Sequence, residues 1–466
     1  MPRKGIALAT TIHLALVVLR AAPAAAQTGL PPLASGKGDR ITTAPAMVKK
    51  LVPDVELEPF LTSGETIGEF QFAGTPDGMG AYDNGDGTFT LLVNHEWDRT
   101  SKDYPSLRDA MVAKLTVDRR NLHVVAGEYV VDGREGYKRF CSATLVGKSQ
   151  GFPSDFFLTN EEETSGDAKG IALAINARTN RIVELPQMGH FRHENTTAVP
   201  YPGGLALLSG EDHEDGQLYM LLAANAAEIL GGSGNLYVLQ VLDDRGNPLA
   251  AESDLKKGET RPARFVPLSR DQNRDADTLS DASHKKEAFR FIRIEDSEAD
   301  RNDPRTVWFA TTGRRSQVDG NGKPFNGRGN LWKLQLDEAD PTKGKITLVL
   351  SGDQGDDLFN PDNLAASPKS LMIQEDITSD FPRYGRILRY DLATGALTPI
   401  VELVDQHAAG APVKPGDWES SGMINAFDLL GDGKWIFNVQ AHTLRVPQLG
   451  AHGEGGQLLV MKLPGS

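Results

Sequence analysis

Residues 76–96 read Pro76-Asp77-Gly78-Met79-Gly80-Ala81-Tyr82-Asp83-Asn84-Gly85-Asp86-Gly87-Thr88-Phe89-Thr90-Leu91-Leu92-Val93-Asn94-His95-Glu96. An acid opens the stretch, a glycine-rich segment turns it, and an apolar strand carries it back to a second acid. Asn-Gly and Asp-Gly favour the tight turns of β-hairpins. The hairpin reading therefore outweighs the partial likeness of Asp83–Gly87 to a calcium loop, which lacks EF-hand spacing. In a hairpin, the start of the first strand and the end of the second share one edge, so both acids gather there.

The same two-part unit occurs six times. Its starts are Pro76-Asp77-Gly78, Phe140-Cys141-Ser142, His193-Glu194-Asn195, Ile294-Glu295-Asp296, Pro361-Asp362-Asn363 and Trp418-Glu419-Ser420. The matching ends are Asn94-His95-Glu96, Asn160-Glu161-Glu162, Gly210-Glu211-Asp212, Thr311-Thr312-Gly313, Gln374-Glu375-Asp376 and Gln440-Ala441-His442. The widest interval between ends, before Gly313, holds a polar segment, 251–287, read as an insertion between the third and fourth units. Sheets repeated radially protect one another's edges. The expected fold is all-β: a six-bladed β-propeller with long inter-blade loops over residues 51–466, its ligand side chains aimed at one axis. Two β domains divided within the polar segment are the alternative. Helical patches are expected only around Ser106–Leu115 and Leu222–Leu230.

Bulk properties narrow the function. The chain has 466 residues, 24% charged and 39% hydrophobic, with a formal net charge of -14. No basic stripe marks a nucleic-acid partner, and clustered carboxylates favour cations. Residues 1–26 read as a secretory signal: Arg3-Lys4, an apolar run, then Ala24-Ala25-Ala26 as cleavage site. Residues 27–50 read as a flexible arm. No other segment spans a membrane. The expected product is a periplasmic or secreted monomer. Its single cysteine, Cys141, rules out an internal disulfide.

Adjacent acids follow apolar strands at Glu161-Glu162, Glu211-Asp212 and Glu375-Asp376. Like charges so placed are either solvated or bridged by a cation, and recurrence at equivalent positions favours the cation. Hard oxygen ligands suit calcium. Cys141 stands where other units carry Asp or Glu. It is either an inert buried thiol or a soft ligand suited to a transition metal such as iron. Arg293 either pairs with Glu295 or offers its planar fork to phosphate. No phosphate-binding P-loop and no serine-hydrolase elbow occurs, whereas glycosidase carboxylates stay open.

In their order and number these units resemble the PhoX-type alkaline phosphatases, over roughly Thr75 to His442. Arg192-His193-Glu194 with Glu211-Asp212, and Glu419-Ser420-Ser421-Gly422 with Gln440-Ala441-His442, carry part of the likeness. Phe291-Ile292-Arg293-Ile294-Glu295-Asp296 resembles the family's Arg-Pro-Glu element, with Ile294 in place of Pro. Asn160 stands where a second Cys often sits, and the Trp-Gly stretch that follows the family's Cys is absent after Cys141. The resemblance implies hydrolysis of phosphate monoesters, small phosphorylated molecules, at an iron and calcium cluster. It places Cys141, Glu194 and Glu295 at iron positions and Arg293 on the phosphate, these four forming the catalytic set. Glu162, Asp212, Glu375, Asp376 and Glu419 are its calcium-side candidates. The reading kept beside it is a non-enzymatic propeller that calcium merely staples.

Overall fold

Each sequence hairpin grows into a sheet of antiparallel strands. A computed structural model describes residues 35–97, 109–314, 326–379, 381–405, 412–449 and 453–466. The proposed signal segment lies outside them. Blade 1 is built from Pro76–Asp83, Thr88–His95, Met111–Asp118 and Val124–Asp132. Blade 2 uses Phe140–Val146, Phe156–Glu161, Ala172–Asn176 and Ile182–Glu184. Blade 3 uses His193–Tyr201, Gly204–Glu211, Leu218–Ala223 and Asn235–Val241. Blade 4 uses Ile294–Ala299, Thr306–Thr311, Asn330–Leu336 and Lys343–Ser351. Blade 5 uses Pro361–Ala366, Ser370–Glu375, Arg386–Asp391 and Leu397–Leu403. Blade 6 combines Glu419–Asn425, Lys434–Arg445 and Glu454–Lys462 with Glu56–Thr62 from the far end of the chain. The first strand of each blade touches the first strand of the next, around to blade 1 again, so the chain is an all-β propeller.

Ring closure rests on the pairing of Glu56–Thr62 with Glu454–Lys462. Gln457 reinforces it, its Oε1 accepting Met47 N–H at 2.9 Å and its Nε2 donating to Pro45 O at 3.1 Å. Of the segment expected as a flexible arm, the described residues include two short strands. Gly36–Arg40 pairs with the outer strand of blade 1 and Val48–Lys50 with that of blade 5. Outer strands present unpaired N–H and C=O groups, and these two pieces cover them.

The polar segment 251–287 contributes the strand Thr260–Pro267, which pairs with both Asn235–Val241 and Lys343–Ser351 and fuses blades 3 and 4 into one nine-stranded sheet. It also carries the helix Ala276–Lys285, capped by Asp275, whose side chain accepts Thr278 N–H at 2.8 Å. Of the other helical expectations, Leu222–Leu230 shrinks to Ala226–Leu230. Ser106–Leu115 is overturned over its described part, because Met111–Asp118, rich in β-branched Val112, Thr116 and Val117, is paired on both sides. The Asp83–Gly87 segment is the hairpin turn: Asp83 accepts Gly85 N–H, Asp86 accepts Thr88 N–H, and Gly85 and Gly87 take φ of 78° and 89°.

Apolar faces of adjacent blades supply the core. Between blades 3 and 4, Trp332 is fully buried, with Phe291 edge-on at 5.4 Å and Phe309 stacked at 6.1 Å. A rigid packed wall of this kind fixes the inner strands on which the site is built.

Candidate metal centre and anion cavity

The six hairpins share one irregularity. Pro76 pairs with His95, Phe140 with Glu161, His193 with Glu211, Ile294 with Thr311, Pro361 with Glu375 and Glu419 with Gln440. Within a few residues of each pair the register shifts, as at a β-bulge. A bulge bends the strand and re-aims side chains. In five blades the residue after the first partner carries a ligand atom: Asp77, Cys141, Glu194, Glu295 and Asp362; blade 6 has Ser420 there. The residue after the second partner gives Glu96, Glu162, Asp212, Thr312, Asp376 and Ala441. The same backbone bond locks five of the hairpins. The N–H of Glu96, Glu162, Asp212, Thr312 and Asp376 donates to the carbonyl of Thr75, Arg139, Arg192, Arg293 and Asn360, at 2.9–3.0 Å. Four of those acceptors, Thr75, Arg139, Arg293 and Asn360, sit at φ of 44°, 49°, 61° and 43°, a left-handed region costly for side-chain-bearing residues.

Among the described residues, three groups each bring their ligand atoms within 4.8 Å of one another: Asp77, Glu96 and Cys141; Cys141, Glu162 and Glu194; and Asp362, Asp376 and Glu419. Cys141 belongs to two of them. Asp77 accepts from Ser421 Oγ and Gln440 Nε2, each at 2.8 Å, so blade 6 holds a ligand of blade 1. Both carboxylate oxygens of Glu194, and Oδ1 of Asp362, are buried without a hydrogen-bond partner. Burial, then the charges of Glu162 and Glu295, pushes Glu194 well above the usual carboxylate range. Burial, then Glu295 and Asp376, does the same to Asp362. Burial and then Glu96 raise Asp77 to about 8, and burial and then Asp77 push the Cys141 thiol up. Buried acids in contact, short of donors, are costly unless protonated or bridged by a cation, and the donor set fits metal ions.

Two arginines border these groups. Arg139 donates to Glu96 at 2.7 Å and lies 3.3 Å from Glu162. Arg293 donates from Nε to Asp212 at 2.8 Å, and its Nη2 lies 3.0 Å from Glu295 Oε1. Burial pushes Asp212 up, but the charge and hydrogen bond of Arg293 outweigh it and hold this acid below its ordinary value. Beside them opens a cavity of about 380 Å³, lined among others by Arg139, Arg192, Asp212, Arg293 and Arg314. Beneath the ligands, Asn363 donates to Ser142 Oγ at 3.2 Å and accepts from Ser421 Oγ at 2.9 Å, a polar floor joining blades 2, 5 and 6.

Of the residues singled out from sequence, Cys141, Glu162 and Glu194 meet in one group and Asp376 and Glu419 in another. Arg293, Glu295 and Asp212 form the ion-paired wall. Glu375 is set apart: it is fully buried, accepts Phe359 N–H at 3.0 Å and is held by Arg386 at 3.0 Å and Arg383 at 3.4 Å. His193 bonds Ser209 and Gly189 and stacks on Phe191. Asp77, Glu96 and Asp362 belong to the repeat whose ends are expected to gather ligands, but the sequence reading assigns them no individual role, for which their position next to a paired residue is the available signal. The same holds for His442. It bridges Glu454 at 2.8 Å and Glu419 at 3.5 Å, and although burial opposes its charge, those two carboxylates raise it to about 11.

Fold and site together define a propeller whose inner strand ends converge on acids, one thiol and an arginine-lined cavity. A model of the alkaline phosphatase PhoX family matches residues 132–393, more than half of the chain. The chain belongs to the PhoX alkaline phosphatase family. Among solved structures, Pseudomonas fluorescens PhoX in complex with vanadate, a transition state analogue, is similar at TM-score 0.65 and 15% identity, covering 91% of this chain and 98% of that one. A luciferin-regenerating enzyme is similar at TM-score 0.39 and 10% identity, covering 84% and 92%. No curated protein matches the sequence. Among the described residues no helix is long and apolar enough to cross a membrane.

Proposed function

We propose that this chain is an exported phosphatase that hydrolyses phosphate monoesters at an iron and calcium cluster on the propeller axis. Family membership supports the reaction class, as does the vanadate bound by the Pseudomonas fluorescens PhoX. The observation that carries the reading is the arginine-lined cavity opening directly beside three groups of acids and thiol, with the Glu194 oxygens unpartnered. Cys141 with Glu162 and Glu194 would hold iron, which a thiolate suits. Asp362, Asp376 and Glu419 would hold calcium, which hard oxygens suit. Bound there, such ions supply Lewis acidity and an activated oxygen nucleophile.

The chain's own residues do the rest. Arg293 uses Nε and Nη2 on its carboxylates, so its fork keeps N–H donors for phosphoryl oxygens. Asp212 and Glu295 hold that fork in place, and Arg139 is fixed in the same way by Glu96 and Glu162. The polar floor of Ser142, Asn363 and Ser421 fixes the inner strands from below. The test is p-nitrophenyl phosphate hydrolysis by protein reconstituted with iron and calcium, alongside its metal content. Turnover that requires both ions is the expected result. Calcium uptake without hydrolysis of any phosphoester would instead leave a calcium-stapled binding propeller.

A further inference from the structure

Three consecutive blades carry an arginine at one equivalent position, just before the innermost strand. The carbonyls of Arg139, Arg192 and Arg293 accept the N–H of Glu162, Asp212 and Thr312 at 3.0, 3.0 and 2.9 Å. Two of the three side chains are committed to ring carboxylates: Arg139 to Glu96 and Glu162, Arg293 to Asp212 and Glu295. Both have left-handed backbone, with φ of 49° and 61°. Arg192 does not share that conformation, and its guanidinium has no hydrogen bond or ion pair among the described residues. It nevertheless lines the same cavity.

The acids near Arg192 are occupied elsewhere. Glu163 and Glu211 feel its charge. Glu163, however, accepts the N–H groups of Thr164 and Ser165, each at 2.8 Å, and Glu211 accepts that of Gln217 at 3.3 Å. Within the cavity, Asp212 is matched by Arg293 and Glu214 by Arg314. Of the three equivalent arginines, Arg192 alone keeps its guanidinium without a carboxylate partner among the described residues. A cavity of about 380 Å³ holds more than a phosphoryl group, and a planar guanidinium fork fits a carboxylate or phosphate with two parallel hydrogen bonds.

We infer that Arg192 is a specificity-determining residue that receives a second anionic group on the alcohol side of the substrate, so that the preferred substrates are phosphate esters of hydroxy acids rather than of neutral alcohols. This rests on the phosphatase reading above. The reacting phosphoryl group is served by the two arginines fixed on the ring carboxylates, and the arginine between them is free for the remainder of the molecule.

3-Phosphoglycerate and glycerol 3-phosphate test the inference, since they differ only by a carboxylate in place of a hydroxymethyl group. For the holoenzyme, kcat/KM should favour phosphoglycerate by about tenfold or more, as expected for a charge-assisted pair. Arg192→Met should erase the preference by lowering phosphoglycerate turnover, leaving glycerol 3-phosphate within about twofold, and Arg192→Lys should restore part of it. Equal loss on both esters would place Arg192 on the phosphoryl group and overturn the inference, as would a wild type that does not discriminate. Calorimetric binding of the two esters to the wild type and to Arg192→Gln reads the same contrast without turnover. Selective binding with no hydrolysis would refute the phosphatase reading and leave the carboxylate site standing. Equal binding would refute the site.

Discussion

Cys141 Sγ donates a hydrogen bond to Asp77 Oδ2 at 3.3 Å, across the joint between blades 2 and 1. The same sulfur sits between two groups of acids, one containing Asp77 and Glu96 and the other Glu162 and Glu194. A thiol there sits among carboxylates, and burial and then Asp77 keep its proton on. Metal binding would reverse this, because the sulfur would bind the ion as thiolate and its proton would pass to solvent.

Cys141→Ser should therefore lose iron and hydrolysis together, along with a thiolate-to-iron charge-transfer band, while the calcium-loaded protein keeps its fold. Optical spectra, metal analysis and circular dichroism on the same sample check the three effects. Full iron occupancy with unchanged turnover in the variant would remove the sulfur from the ligand set.

Glu375 and Asp376 are neighbours with separate tasks. Glu375 is buried against Arg386 and Arg383, whereas Asp376 joins Asp362 and Glu419. Glu375→Ala leaves the buried Arg386 only the exposed Asp357 as carboxylate partner and should cost about 1–3 kcal/mol in denaturant unfolding, with calcium stoichiometry unchanged. Asp376→Asn should do the reverse: one calcium fewer, with little loss of stability in chelator. If both variants lose calcium equally, Glu375 is a ligand after all.

That division shows what the chain discloses before folding. In Glu161-Glu162, Glu211-Asp212 and Glu375-Asp376 the first acid takes backbone N–H groups, from Lys138, Gln217 and Phe359, and the second faces the axis. Successive side chains in a strand point to opposite faces, so the repeat itself contained the rule, and Glu375 could have been set aside on it. The hairpins, their number and the convergence of their ends were legible because turn residues and apolar runs are local signals. The roles of Asp77 and Glu96 were less so, since they depend on Gln440 and Ser421, which approach only when blade 6 closes on blade 1. The ordered strands Gly36–Arg40 and Val48–Lys50 were invisible for the same reason. Their sequences carry no strong strand pattern, and their partners lie far along the chain.

Arg293 bridges Asp212 and Glu295 with two nitrogens of one plane, at 2.8 and 3.0 Å. Lysine is a point charge and cannot hold both carboxylates while also meeting a phosphoryl group. Arg293→Lys should lower kcat/KM by about a hundredfold, the scale of a small misplacement at a reacting centre. Inhibition by inorganic phosphate should weaken in parallel. Steady-state kinetics with phosphate as competitor measure both, and a variant within a few-fold of wild type would show that charge alone suffices there.

The metal-free protein should become less stable as pH rises. Asp77 and Glu295 are raised from 3.8 and 4.5 to about 8, each by burial first, and then by Glu96 and Asp212 respectively. Between the unfolded and folded values these acids keep protons that the unfolded chain has released, so stability falls from about pH 4 to about pH 8 and then levels off. Cations that bind the ring displace those protons, and their affinity grows with pH. Melting temperatures in chelator should therefore decline from pH 5 to pH 8, whereas in saturating calcium the decline should vanish or reverse. The gap between the two curves widens with pH because mass action adds stability wherever the ion binds the folded state alone. Calcium added to weakly buffered protein should acidify the solution in the same range. A chelated protein whose melting temperature is flat across that range would mean that the ring acids are already ionised without metal.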